Sequence, residues 1–180
     1  MGEAKRKQAA LMELAKKQFA RWDFPVTAEE AAAVAEIEQL DSYIVHRYPK
    51  HMLDYMKMKP NECHANARFM EANDPEQKTK HVTGYWPQAG NYVLHSVVLR
   101  EGEMLCVTPL AINAPDSFTF IPDFDIEWKQ ESDGYTAYRK GYKVEPGLRS
   151  DPLENKRIAD IIIARMEAGV PPLKAGEPPF

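Results

Sequence analysis

Cys63 and His95 are the residues of this chain whose types and spacing best suit covalent chemistry. Cys63 falls in the first turn of a helix expected from Asn61 as N-cap through Cys63-His64-Ala65-Asn66-Ala67-Arg68-Phe69-Met70. Unpaired backbone amides and the helix dipole favour thiolate over thiol at that position. A thiolate that attacks a carbonyl needs an imidazole to pair with it and then to protonate the leaving group. His95, on an expected strand over 92–100, is the candidate.

A third residue follows from strand register. Glu101-Gly102 reads as a turn between strands 92–100 and 103–110. Arg100 then faces Glu103, and the pairing continues through Val98 with Leu105 and Val97 with Cys106 to His95 with Thr108. Directly opposed residues share a face, so the Thr108 hydroxyl is expected beside the His95 ring. A catalytic imidazole needs such a group to fix its tautomer and orientation.

Cys63 opening a helix, His95 on a strand, and a hairpin ending in Val107-Thr108-Pro109 together resemble the transglutaminase-like branch of the papain-like cysteine enzymes. More narrowly, Cys63-x-x-Asn66-Ala67, His81-Val82-x-Gly84-Tyr85 and Leu94-His95-Ser96-Val97 are similar to motifs of small bacterial and phage proteins. The resemblance implies a papain-like α+β fold and a hydrolase or acyl transferase with a cysteine nucleophile. Its substrate would be a peptide or protein amide, or a thioester. Cys63, His95 and Thr108 would be its catalytic residues. Two positions depart from the pattern: Val97 replaces a Trp, and Thr108 stands where the family has Asp. A neutral partner orients an imidazole but does not stabilise imidazolium by charge. A non-catalytic binding or assembly protein on the same scaffold is therefore the alternative.

Other residues have competing readings. Asn66, one helical turn after Cys63, is either an oxyanion or backbone ligand or a packed surface amide. Asp116 and Asp123 are alternative acidic partners for His95. Cys106 reads as core, since no second imidazole is evident for it, and His64 is expected to point away and be exposed. Cys63, His64, His95 and Cys106 have zinc-ligand chemistry but lack a Cys-x-x-Cys or His-x-x-x-His element, so no metal is expected, and no cofactor either. No glycine-rich phosphate loop, serine elbow or dinucleotide fingerprint occurs.

Periodicity outlines the helices and strands that carry these residues. Helices are expected over 3–21, from Thr27 to about Arg47, around Met52–Met56, and from Asn61 to Asn73. Thr27-Ala28-Glu29-Glu30 is a capping box. Alternation then predicts strands over 81–86, 92–100, 104–110, 118–121, 126–130 and 135–143, with turns at Ala89-Gly90-Asn91 and Asp133-Gly134. A last helix over 153–168 starts with Asp151 as cap and Pro152 at its first position. A proline-rich tail over 170–180 is expected to be extended. Helices followed by sequential strands imply an α+β fold with an antiparallel sheet and a C-terminal helix. The expected division is a basic first helix over 1–24, one α+β domain over 25–169, and the tail.

Composition bounds the rest. The 180 residues are 44% hydrophobic and 28% charged, which suits a globular chain. No apolar run reaches membrane-spanning length and no signal peptide is evident, so a cytoplasmic protein without a membrane partner is expected. Two cysteines do not make a disulfide framework. The net charge of −4 divides into six basic against two acidic residues in the first 21 and a body of −8. An acidic body disfavours nucleic acid as main ligand. Oligomeric state is open.

Overall fold

The computed structural model describes residues 3–109, 115–132 and 134–179. Leu110, Asp133 and Phe180, which belong to the expected strand 104–110, the expected turn and the expected tail, lie outside the described residues. The chain is mixed α and β. Its helices are α1 (Glu3–Ala20), α2 (Ala28–Ile37), α3 (Lys50–Tyr55), α4 (Cys63–Ala72), α5 (Pro152–Glu167) and α6 (Pro172–Ala175). Its strands are β1 (Tyr43–Arg47), β2 (Lys80–Gln88), β3 (Asn91–Arg100), β4 (Glu103–Cys106), β5 (Ser117–Pro122), β6 (Ile126–Glu131), β7 (Gly134–Arg139), β8 (Tyr142–Lys143) and β9 (Gly147–Arg149).

Two compact units result: Ala28–Ser150, and a unit made from both ends of the chain, Met1–Thr27 with Asp151–Phe180. The expected segments 1–24, 25–169 and 170–180 group differently here, because α5 packs with α1 and α6. In that terminal unit the Asp151 carboxylate accepts the Glu154 N–H at 2.9 Å, with Pro152 at the first helical position, as the sequence leads one to expect. Lys16 pairs with Glu167 at 2.8 Å. Part of the tail is helical, not extended. The Arg165 guanidinium donates to the carbonyls of Ala175, Glu177 and Pro179, which folds the tail back on α5.

In the larger unit the sheet closes on itself. Strand order runs β2-β5-β1-β4-β3, and β3 pairs β2 again along nine residue pairs, giving a five-stranded ring with β9 on the free part of the β3 edge. Alternation sends Val45, Val82, Val97, Cys106, Phe118 and Phe120 inward to a common cluster. Outside, α4 covers Val98 and Val107 through Ala67, while α2 covers Tyr85, Leu94 and Ile121. A separate sheet β6-β7-β8 completes the unit.

Closure has a local cause at Gly84. A Cβ there would lie 2.1 Å from the Ile121 carbonyl oxygen and 2.8 Å from Pro122 Cα, so only glycine lets β2 and β5 meet. The Glu30 carboxylate takes the Arg149 main-chain N–H at 2.9 Å and its guanidinium at 3.0 and 2.8 Å, tying α2 to β9 in a buried pair.

Several expectations are corrected. Residues 43–47 form a strand, not the end of a helix: pairing on both sides, with β4 and β5, outweighs an apolar spacing that also suits a helix. The β1–β4 pairing is parallel, so the sheet is not wholly antiparallel. The helix starts at Cys63, not Asn61, whose φ of 61° is left-handed. The stretch 135–143 is two strands broken at Lys140 and Gly141, with φ of 48° and 86°. Strand β9 had no sequence signal strong enough to be anticipated.

Candidate functional site

The register around Glu101-Gly102 is the one the turn demands: Arg100 faces Glu103, Leu99 faces Met104 and Val98 faces Leu105. Pairing stops there because β4 leaves β3 to join β1. Further along the same β3 edge, β9 pairs with residues 91–93, and the Leu94 N–H donates to the Pro146 carbonyl at 3.0 Å. Ser96 lies in the gap between these two neighbours, where α4 comes in.

Cys63 is the first residue of α4 and is 9% exposed. Glu62 precedes it as N-cap without a side-chain capping bond. The thiol is pulled in two directions. Burial pushes it up to about 11, and this dominates; backbone hydrogen bonds from Ser96 and His64 act the other way. The helix-start amides expected to favour thiolate are therefore present, but desolvation outweighs them.

His95 is 4% exposed and belongs to the inside of the ring. Its neighbours are Phe118, Phe120 and Trp86, at ring-centroid distances of 5.4, 6.3 and 5.7 Å. Burial, with smaller contributions from His64 and Arg47, lowers its pKa to about 3. Its Nε2 lies 3.5 Å from Cys106 Sγ, so the second imidazole partner judged absent for Cys106 is His95 itself. Cys106 also accepts from Arg47 Nη1 at 3.2 Å, and Arg47 lies over the rings of Trp86 and Phe118. Burial nonetheless raises the Cys106 thiol.

Thr108 is buried, but its hydroxyl accepts from Asn66 Nδ2 at 3.4 Å. The expected bond to the His95 ring is not made. Asn66 is buried too, with its amide committed to both main-chain groups of Lys59 at 3.1 and 2.8 Å. It anchors the segment leading into α4. Asp116 is exposed and meets Arg47 only through its main-chain carbonyl. Asp123 is buried against Arg139 at 2.6 Å. Neither aspartate is a partner of His95.

Sequence reasoning missed a polar chain on the outer face of β2 and β3. His64, expected to be exposed, is half-buried with Nδ1 2.7 Å from Ser96 Oγ. Ser96 Oγ lies 2.8 Å from His81 Nε2, and Thr83 Oγ1 lies 3.1 Å from the same nitrogen. The Trp128 indole N–H donates to Thr83 Oγ1 at 3.0 Å. Burial holds His64 down to about 3 and lowers His81 as well, with Arg68 adding to both. A readable signal existed: the turn at Ala89-Gly90 sets Thr83 opposite Ser96, as Glu101-Gly102 sets the next hairpin.

Cys63 and His95 thus lie on elements packed together, but burial favours the neutral form of both, thiol and imidazole. Among the described residues no group of three or more His, Cys, Asp or Glu side chains is placed to hold a metal ion. No helix among them is long and apolar enough to cross a membrane. No protein-family model, curated protein or solved structure matches the chain.

Proposed function

We propose that this chain is a binding protein whose buried thiol and imidazole hold the fold together instead of turning over substrate. The observation that carries this reading is geometric: the His95 ring lies against Cys106 and Thr108 is engaged by Asn66, while burial favours the neutral forms of Cys63 and His95. A thiol enzyme that rests as an ion pair needs the opposite shifts, thiol down and imidazole up.

One observation favours a second reading, a cysteine hydrolase or acyl transferase. Cys63 opens α4, and the main-chain amides of Ser96 and His64 act on its sulfur in the direction that favours thiolate. Such amides would also steady a developing oxyanion. In that reading Cys63 Sγ adds to an amide or thioester carbonyl carbon while its proton passes to His95. The amine or thiol then leaves with that proton.

The pH dependence of Cys63 alkylation separates the two. A thiol near 11 instead of 9.0 carries about a hundredfold less thiolate at neutral pH. Its greater intrinsic nucleophilicity returns somewhat less than tenfold, so alkylation at pH 7.5 is expected about tenfold slower than for an ordinary cysteine. The rate should rise through pH 9 and be unchanged in His95→Gln. A plateau below pH 8 that disappears in His95→Gln would overturn the binding reading and establish the enzyme.

A further inference from the structure

The arginines of the larger unit are partnered, with one exception. Arg139 pairs with Asp123 and Glu36, Arg149 with Glu30, and Arg100 with Glu76 and Asp74. Arg47 donates to Cys106 and to the Pro115 carbonyl, although its Nη2 is also buried without a partner. Arg68, on α4, has no hydrogen bond or ion pair with any described residue, and its Nη2 is buried without a partner. An unsatisfied buried donor in a native fold calls for an explanation, because its desolvation is uncompensated.

Its surroundings hold the group in place. The guanidinium lies over the Trp128 ring at 4.3 Å and the Tyr135 ring at 5.0 Å. Gln130 opposes Tyr135 across the β6–β7 ladder, which puts Trp128 and Tyr135 on one face of that hairpin. Thr83 fixes the indole by accepting its N–H. The aromatic rings therefore occupy a face of the guanidinium and leave its in-plane N–H donors unused. Tyr135 is 57% exposed, so this platform opens to solvent.

We propose that Arg68 is the anchor of a carboxylate-binding site, with Trp128 and Tyr135 as its platform. The proposal rests on the binding reading above and gives it a ligand class. A planar carboxylate matches the guanidinium fork with two parallel N–H···O bonds. Charge selects against a phosphate dianion: His64 and His81 are neutral at pH 7, and Glu145 and Glu71 act on Arg68 and His81 respectively. With Arg68 as the cation and no added positive charge from either histidine, a singly charged carboxylate is favoured over a dianion.

The test is a titration of the full chain at constant ionic strength, following the Trp128 indole N–H by NMR. N-acetylglycinate probes a free carboxylate, an acetylated, amidated tripeptide centred on glutamate probes a side-chain carboxylate, and inorganic phosphate is the competitor. A saturable millimolar shift with either carboxylate, weaker with phosphate, is expected, and the tighter probe identifies the source. Arg68→Gln should abolish it, and Arg68→Lys, which keeps the charge but not the fork, should weaken it about tenfold. No saturation, equal shifts in Arg68→Gln, or tighter binding of phosphate would overturn the site. Cys63 alkylation in the same samples keeps the two conclusions apart: a reactive Cys63 with an intact titration removes only the binding reading, and a failed titration with an inert Cys63 removes only the Arg68 site.

Discussion

Acid should destabilise this protein well before its carboxylates are protonated, and the histidines are the reason. His95 and His64 are held near 3 in the folded chain, against an ordinary value of 6.5. The unfolded chain therefore binds protons at these sites between pH 6.5 and 3 that the folded chain does not. A base whose folded pKa is depressed loses stability as pH falls through the unfolded value, and goes on losing it down to the folded one. From pH 7.5 to pH 5, His95 alone accounts for a loss of about 2 kcal/mol, and His64 for about 2 more. Against a typical total of about 5–15 kcal/mol this is a large fraction. The window is also clean. Asp74, hydrogen-bonded by Thr79, and Glu36, hydrogen-bonded by Lys140 and Arg139, stay ionised to about 2 when folded, so the stability they contribute is lost as pH falls through the ordinary carboxylate values toward about 2, almost wholly below pH 5. Urea unfolding followed by tryptophan fluorescence at pH 7.5, 6 and 5 measures the slope. His95→Gln should remove about half of it. A urea midpoint that stays constant from pH 7.5 to 5, or a His95→Gln variant with the full slope, would show that the buried histidines do not set the acid sensitivity.

Gly84→Ala should destabilise the larger unit by about 2–4 kcal/mol, since its methyl would displace the β5 main chain and loosen two strand pairs at the point of ring closure. Thermal and urea melts check this, and a loss under about 0.5 kcal/mol would contradict the closure argument. Glu30→Gln should cost about 3–5 kcal/mol by leaving Arg149 charged and buried without its partner charge. The double variant Glu30→Leu with Arg149→Met should recover most of that loss in the same melts, because the desolvated pair is replaced by apolar packing.

Much of the positional frame around the site was legible in the sequence. Glu101-Gly102 demanded a tight turn, and the register of β3 on β4 followed as far as Val98 with Leu105. Asp151-Pro152 marked the start of α5, and Cys63 was correctly placed in a first helical turn. Residues 43–47 were not legible, because Tyr43, Ile44 and Val45 suit a helix face and a strand equally until two neighbouring strands are present. Nor was the role of Thr108. The ladder that would carry it to His95 ends at Arg100–Val98, where β4 turns to β1, and Asn66 takes its hydroxyl instead.

Residue types and short-range spacing determined which groups are available: one thiol at a helix start, one imidazole on a strand, and a hydroxyl where the resembling family has an acid. Their protonation is a different kind of quantity. It depends on how much water and charge surround each group, and the atoms responsible come from strands far apart in the chain. Ring closure at Gly84 and the packing of α4 on β3 remove that water, leaving Cys63 and His95 neutral. The same packing lays Arg68 over Trp128 without an ion pair to any described residue, a juxtaposition that no local pattern encodes because its two halves are separated by four strands.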